Sequence, residues 1–512
     1  MSAPVALPRA SPGGRPPAPA SPEARAEAVR AVRRTADGTV LLFLAEALLL
    51  PTGLVTAAVL TRRLGPDAYG LFTVAASLVA WLSWIVGSAF STRAAIALVS
   101  EADDPRPVAS LVLRVHLVAG AASAGVFALV APAVADVLGD ARLVPLLRLL
   151  AVELLLFSAA RAYQNVLVGT GAYRPRALGS AVRWTLRMVA VVGFVEAGLG
   201  VAGAALGGLL ALAAEVVVYR AHRRIPLGLR SGVSGARLWR TAAPLFVFEV
   251  VLRGLSRIDL FALKALGGTA AEAGFYGAAQ NLTVVPGLFT LAFTPLLLAT
   301  VGRLSRAGAE AQARRLGHDA LRLAAYALPL AAAAAAVAPG LVRALFGAAF
   351  APAAPLLAWL IVGAAAQVTV SVGSALLVSA GRPAWTTAIA VPMVAVAAAG
   401  YLVAFPLSGA VGMAAVTVAT MALGGVAVLA GVRAAGWPAP GVATYARAAA
   451  ASALAVAVAV WPLPGAWWLV QLAVAVAVVA GVAWTAELSV AERARFRSEA
   501  RRVWSRHAGE SR

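Results

Sequence analysis

From residue 39 to residue 486 the chain is a succession of apolar runs of about 20 residues separated by short polar breaks, the length at which a helix crosses the hydrocarbon of a bilayer. Fourteen spans are predicted, at about 39–61, 71–92, 108–132, 144–168, 177–197, 199–220, 239–263, 272–299, 319–338, 353–378, 384–404, 407–432, 444–462 and 466–486. The joints near 198 and 405 leave only a few residues for a turn. A transmembrane barrel would alternate apolar and polar residues in segments of about ten, and that pattern is absent. The expected fold class is all-α, a polytopic membrane protein.

Composition narrows the chemistry. Of 512 residues, 61% are hydrophobic and 13% charged, with mean hydropathy +0.85; about a quarter of a soluble domain is charged. There is no cysteine, which excludes disulfides, thiolate metal sites and cysteine nucleophiles. His116, His222, His318 and His507 are too scattered to form a ligand set, so neither a metal nor a cofactor is expected. Lys264, the only lysine, follows Leu263, so the chain has no Walker A loop.

The net charge of +21 reads as basic cytoplasmic loops facing anionic lipid, with no nucleic acid as partner. With the N-terminus inside, 31 of the 43 Lys and Arg fall on the inner side and 5 on the outer. That asymmetry predicts both termini in the cytoplasm. Residues 1–38, rich in Pro, Ala and Arg, are expected to be a disordered tail. Residues 487–512 are expected to be a basic amphipathic tail, with 487–506 a helix on the inner leaflet opened by a Ser489–Glu492 capping box; a solvated basic tail that only fixes topology is the alternative reading.

The chain also repeats itself. LGPDAYGLFTVAASL from Leu64 matches LGGTAAEAGFYGAAQNL from Leu266, aligning Gly70 with Gly274 and Leu78 with Leu282. YRPRA from Tyr173 matches GRPAW from Gly381, and Gly200-Val-Ala-Gly203 matches Gly409-Ala-Val-Gly412. The offsets are 204, 208 and 209. Six spans separate equivalent points, so the halves enter the membrane in the same sense. This predicts a parallel repeat about an axis along the membrane normal, with substrate bound between the halves. The expected domains are an N-lobe at 39–238, a C-lobe at 239–432, and two additional helices at 433–486.

RRLGPDAYGLF (Arg62–Phe72) and RIDLFALKALGGTAAEAGFYGAAQNL (Arg257–Leu282) resemble the corresponding stretches of Wzx-type oligosaccharide flippases. The shared features are an Asp, a Gly-rich turn and the series Glu272, Gly274, Tyr276. That family belongs to the multidrug/oligosaccharidyl-lipid/polysaccharide exporter superfamily. The resemblance implies fourteen spans in two six-helix lobes plus two, and a place in the bacterial cytoplasmic membrane. It implies a non-enzymatic flippase for undecaprenyl-diphosphate-linked sugar units, working by alternating access and drawing on an ion gradient, proton or sodium. Its partners would be the lipid-linked oligosaccharide, membrane lipids and proteins of polysaccharide assembly.

No substrate residue transfers by motif, so the candidates come from buried charge. The stretch EVVLRGLSRIDLFALK (249–264) lies in span 7. On a helix, Glu249, Arg253, Ser256, Arg257 and Lys264 form one stripe about 100° wide, with Asp259 off it. An arginine at mid-bilayer costs about 2.5–3.5 kcal/mol, so the stripe must face a wet interior. Arg253 and Arg257, with Arg161 and Arg187 of spans 4 and 5, are the candidate diphosphate ligands, since a guanidinium fork matches phosphate oxygens. Glu249, Glu46 and Asp259 are the coupling or gating candidates, and Ser256, Gln280, Asn281 and Gln367 the polar lining. Glu249–Arg253 also reads as an ion pair locking two helices, Arg161 and Arg187 as charges paired within their lobe, and Lys264 as a snorkelling residue. Gln280, Asn281 and Gln367 read equally as interhelical hydrogen bonds.

Two rival transport readings are lipid II-type precursor flipping and cation-coupled drug efflux; the net-positive stripe disfavours the second. A glycan polymerase or glycosyltransferase would display catalytic residues in sizeable outer loops. Here those loops are short, and the outer acids are Asp67, Asp136, Asp140, Glu196 and Glu272.

Overall fold

The structure, a computed structural model, describes residues 38, 40–88, 92–100, 102, 104–229, 258–460 and 467–487. The expected tails and the stripe residues Glu249, Arg253, Ser256 and Arg257 lie outside the described residues.

The first half comprises α1 (Leu49–Ser88), α2 (Thr92–Ser100), α3 (Pro105–Val137), α4 (Leu143–Gly169), α5 (Tyr173–Phe194) and α6 (Gly200–His222). Next come α7 (Ile258–Ala265), α8 (Ala270–Leu282), α9 (Val284–Arg306), α10 (Glu310–Ala325), α11 (Ala327–Ala336), α12 (Ala338–Phe346), α13 (Ala353–Ser379) and α14 (Pro383–Ala434). α15 (Val442–Val460) and α16 (Trp468–Val482) close the chain. Among the described residues, nine helical runs are long and apolar enough to cross a membrane. The molecule is an all-α polytopic membrane protein.

Two of those runs, Tyr173–His222 and Pro383–Ala434, have 50 and 52 residues. A straight helix of that length would measure about 75 Å against a hydrocarbon layer of about 30 Å, so each must double back. The Tyr219 hydroxyl accordingly meets Arg176 at 3.1 Å and the Tyr401 hydroxyl meets Thr417 at 2.9 Å. The turns are made at Gly200 (φ 54°, ψ −135°) and Gly409 (φ 57°, ψ −142°), a conformation that side-chain-bearing residues avoid. These two glycines are equivalent in the sequence repeat, and their backbones match. α4 and α13 also match, at 27 residues each and with a positive-φ glycine just beyond, Gly171 and Gly381.

One boundary differs from expectation. Residues 62–70 are not a loop between spans; helix resumes at once after Gly65 (φ 72°) because Pro66 supplies a preset first-turn φ.

Packing follows the halves. The largest apolar cluster joins α1, α4, α7, α8, α12, α13 and α14. One satellite lies within the first half and one within the second. α15 and α16 pack their small residues Ala455, Ala459 and Ala475 against α11 and its surroundings, the close approach typical of helices in lipid.

Candidate substrate site

The two halves meet at the end of the bundle that holds Arg62–Thr73. α8 starts there with a capping box: Thr269 accepts from the Glu272 amide, and Glu272 accepts from the Thr269 amide at 2.8 Å. This sets α8 flush against α1. A Cβ on Gly70 would lie 1.7 Å from the Ala270 carbonyl oxygen, and one on Gly274 would lie 2.2 Å from that of Pro66. Repeat-equivalent glycines therefore face each other, backbone on backbone. The seam is stitched by polar contacts. Asn281 donates to the Tyr69 hydroxyl at 2.8 Å, and Arg62 donates to the carbonyls of Ala344 and Leu345 at the C-terminal end of α12, where a cation is favoured.

Lys264 belongs to this seam and not to a snorkelling rim. It is 5% exposed, donates to the Gly268 carbonyl at 3.2 Å and pairs with Asp140 at 3.5 Å. Asp140 in turn pairs with Arg142 at 2.9 Å, and Arg142 with Asp67 at 2.7 Å. Hydrogen bonds from Arg142 hold the Asp140 carboxyl below the usual carboxylate range, and Lys264 adds to this. Glu196 pairs with Arg63. Four of the five outer acids are thus engaged as caps or ion pairs.

Away from the seam, the first half encloses a charged network. Glu46 accepts from Arg176 and Ser180 at 2.9 Å each and from the Trp184 indole at 3.2 Å. Arg176 also donates to Ser180 and to the Tyr219 hydroxyl. Tyr219 donates to Glu215 at 2.7 Å, as does Gln164 at 3.0 Å, and Arg183 pairs with Glu215 at 3.4 Å. Arg161 donates to Gln164 at 3.2 Å. Arg187 and then Arg183 are the cations that act most on Glu153. Four arginines thus face three carboxylates. Glu215 is fully buried, whereas Arg183 is 17% and Glu46 43% exposed at the side chain. Three of the cations lie over aromatic rings, Arg161 at 4.2 Å from the Trp84 centroid and Arg183 at 4.7 Å from that of Trp184. Guanidinium groups at this depth require a wet or polar interior.

A smaller polar cluster occupies the second half. Asp259, 5% exposed, accepts from the Tyr276 hydroxyl at 2.8 Å and from Gln280 at 2.9 Å.

The structure brings Glu46, Arg161 and Arg187 into one network, and Asp259 and Gln280 into another. Asn281 sits on the seam, and Gln367 is exposed on α13, making no hydrogen bond among the described residues. Sequence reasoning missed Arg176, Glu215, Tyr219, Trp84 and Trp184. Glu215 carried a usable signal: it is the one acid in the apolar run from 200 to 219, and an ionisable residue in such a run marks a functional candidate. Arg176 had none, because it stands only four residues from the start of its helix, where an arginine ordinarily reaches the interface.

A family model described as "Polysaccharide biosynthesis protein" matches residues 59–355, more than half of the chain. The chain belongs to the polysaccharide biosynthesis protein family. No curated protein matches the sequence. Among solved structures, this family member is similar to the lipid II flippase MurJ in an inward closed conformation, with TM-score 0.73 and 14% identity over 87% of this chain and 97% of that one. It is similar to the MATE transporter VcmN of Vibrio cholerae, with TM-score 0.58 and 15% identity over 80% and 97%. A MOP superfamily transporter from Pyrococcus furiosus gives TM-score 0.57 and 15% identity over 79% and 95%. The fold is that of the MOP-superfamily transporters.

Proposed function

We propose that the chain is a flippase carrying undecaprenyl-diphosphate-linked oligosaccharide from the inner to the outer leaflet of the bacterial cytoplasmic membrane by alternating access. Nine apolar runs among the described residues, with each of the three longest read as two crossings, give twelve; spans 7 and 8 of the sequence bring the total to fourteen, as two six-helix lobes and two further helices, with both termini in the cytoplasm. On that orientation the glycine seam closes the outer side.

The observation that carries the reading is the largely buried arginine network in the interior of the first half, in a member of a polysaccharide biosynthesis family. Arg161 is its surplus cation: it makes no ion pair among the described residues. Arg161 and Arg187, with Arg253 and Arg257 of span 7, are the proposed diphosphate ligands. Glu46, Glu249 and Asp259 are the proposed gating or coupling acids, for proton or sodium. Ser256, Gln280, Asn281 and Gln367 are the proposed polar lining. Glu46 is suited to its role because Arg176, Ser180 and Trp184 already hold it, so a change in its charge rearranges three side chains together.

The test is a deletion strain of the native host complemented with the wild-type gene, Arg161→Ala or Arg253→Ala/Arg257→Ala. Glycan-lipid trapped on the cytoplasmic face, rescued by wild type and not by normally expressed variants, is the expected result. Normal glycan-lipid with heightened sensitivity to cationic dyes would instead make the chain a drug exporter. Lipid II flipping is the second reading, favoured by the larger TM-score to MurJ than to the MATE structures. It predicts rescue of a strain depleted of its own lipid II flippase.

A further inference from the structure

Arginines and aromatic rings alternate along one wall of the first half. Arg161 stands between Trp84 and Phe157, at 4.2 and 5.2 Å from the ring centroids. Arg183 stands between Phe157 and Trp184, at 5.8 and 4.7 Å. Arg187 lies beyond, 6.0 Å from Trp184. The order Trp84, Arg161, Phe157, Arg183, Trp184, Arg187 draws on three helices, α1, α4 and α5.

We infer that Trp84, Phe157 and Trp184 are positioning residues for the anionic head of the substrate: they hold three guanidinium groups by their faces and leave the edges to grip a lipid diphosphate. This rests on the flippase reading above.

A guanidinium carries five N–H donors, all in its plane and none on its faces. Stacking therefore occupies the faces and spares the donors. Among the described residues, Arg161 spends one bond on Gln164, Arg183 one on Glu215, and Arg187 none. Polar groups withdrawn from bulk water are normally hydrogen-bonded, so this many donors left unspent along one wall, among the described residues, call for an acceptor-rich occupant or water. An anion whose every oxygen accepts is the occupant that satisfies the most donors at once.

The wall is also braced. The Trp184 indole nitrogen is tied to Glu46 at 3.2 Å, and Glu46 to Arg176 and Ser180. Trp84 is 38% exposed, so its end of the row is open. Arginine alone is a long side chain with much rotamer freedom to lose on binding; a ring on each side of Arg161 and Arg183, and one beside Arg187, removes part of that freedom in advance. Arg183 and Arg187 are one helical turn apart, about 5–6 Å at Cβ, and Arg161 extends the row past Phe157. A row of that length suits two linked phosphates better than one.

The test uses the full chain in lipid nanodiscs, titrated with undecaprenyl diphosphate and, separately, undecaprenyl monophosphate. Wild type is expected to bind the diphosphate more tightly, and Arg161→Ala to lose that preference. Trp84→Leu is expected to weaken diphosphate binding about tenfold, within the range that a cation–π contact commands. Trp84→Phe keeps a flat face and should stay within about threefold of wild type. Because Trp84 acts through Arg161, the double variant Trp84→Leu/Arg161→Ala should bind no worse than Arg161→Ala alone. Wild-type affinity in Trp84→Leu alongside a weak Arg161→Ala overturns the positioning role and leaves the flippase reading standing, as does full additivity in the double variant. No diphosphate binding by wild type, or none lost in Arg161→Ala, overturns both. If Trp84→Leu does not fold, Arg161→Lys decides: lysine keeps the charge and loses the planar stack, so a drop of about tenfold is expected and wild-type affinity overturns the inference.

Discussion

The arginine wall and the glycine seam are opposite solutions to contact inside a membrane protein. The wall uses long charged side chains, stays partly open, and every partner in its network comes from residues 46–219 of the first half. The seam is centred on backbone: Gly70 and Gly274 put backbone against backbone across the two halves, and a few polar contacts, the Lys264–Asp140 pair among them, stitch its edge. On the proposed alternating-access reading, the difference separates what must persist from what must part. A buried ion network broken on every cycle would leave charges unpaired at several kcal/mol each. A seam of small residues comes apart at far smaller cost and reseals only if nothing is added to it.

The sharpest way to break the comparison is Gly70→Ala. The new Cβ would fall 1.7 Å from the Ala270 carbonyl oxygen, and a backbone group cannot yield as a flexible side chain can. The seam should fail to close and translocation should be lost. Since the chain has no cysteine, a single one placed at Thr73 reports the seam directly. It should turn from unreactive to reactive toward a polar maleimide in Gly70→Ala.

Glu215→Gln attacks the wall instead. It removes the fully buried acid that serves Arg183, Tyr219 and Gln164, and should destabilise the protein by about 3–5 kcal/mol, read as a lower thermal midpoint. Thr73 reactivity should not change, because the seam shares no residue with this network.

Lys264→Met removes the Lys264–Asp140 pair that latches the seam while nearly keeping the side chain's length. The seam should stay assembled but open more often, raising Thr73 reactivity by less than Gly70→Ala does. The latch has a definite pH sign. Asp140 is held below the usual carboxylate range by Arg142, so its contribution is present above the ordinary Asp value of about 3.9 and is lost only as pH falls through the lower, folded value. Once divided by the thiolate fraction at each pH, the reactivity of Thr73→Cys in the otherwise unaltered chain should therefore be flat from about pH 5 to 8. A pH-dependent change in that window would have to come from other groups.

Arg63→Ala is the smallest test. The Arg63–Glu196 pair is 61% and 43% exposed at its side chains, and pairs of that kind contribute about 0–1 kcal/mol. Neither the thermal midpoint nor transport should move appreciably.

Much of this molecule was legible in the linear chain. Apolar run length alone identifies membrane-crossing helices, because the bilayer imposes one thickness on every span. The repeat was legible because paired halves reuse the same special backbone: Gly200 and Gly409, aligned by a four-residue match, turn with nearly equal φ and ψ. Charge placement marked Arg161, Arg187 and Glu46 as unusual, because ionisable groups are costly in hydrocarbon wherever they occur.

What those charges meet was decided only in three dimensions. Helical spacing states which face a residue occupies, but not which face of which other helix lies opposite. Glu46 finds Arg176 across 130 positions of sequence, and Lys264 finds Asp140 across the two halves. Trp84 stands beside Arg161 only because α1 and α4 pack together there. Run length, repeat and charge placement along the chain are enough to establish a helical, repeated membrane protein with charges it must hide. The tertiary structure alone decided which charges are locked in pairs and which retain free donors, because pairing depends on contacts between helices that no spacing along a single helix encodes.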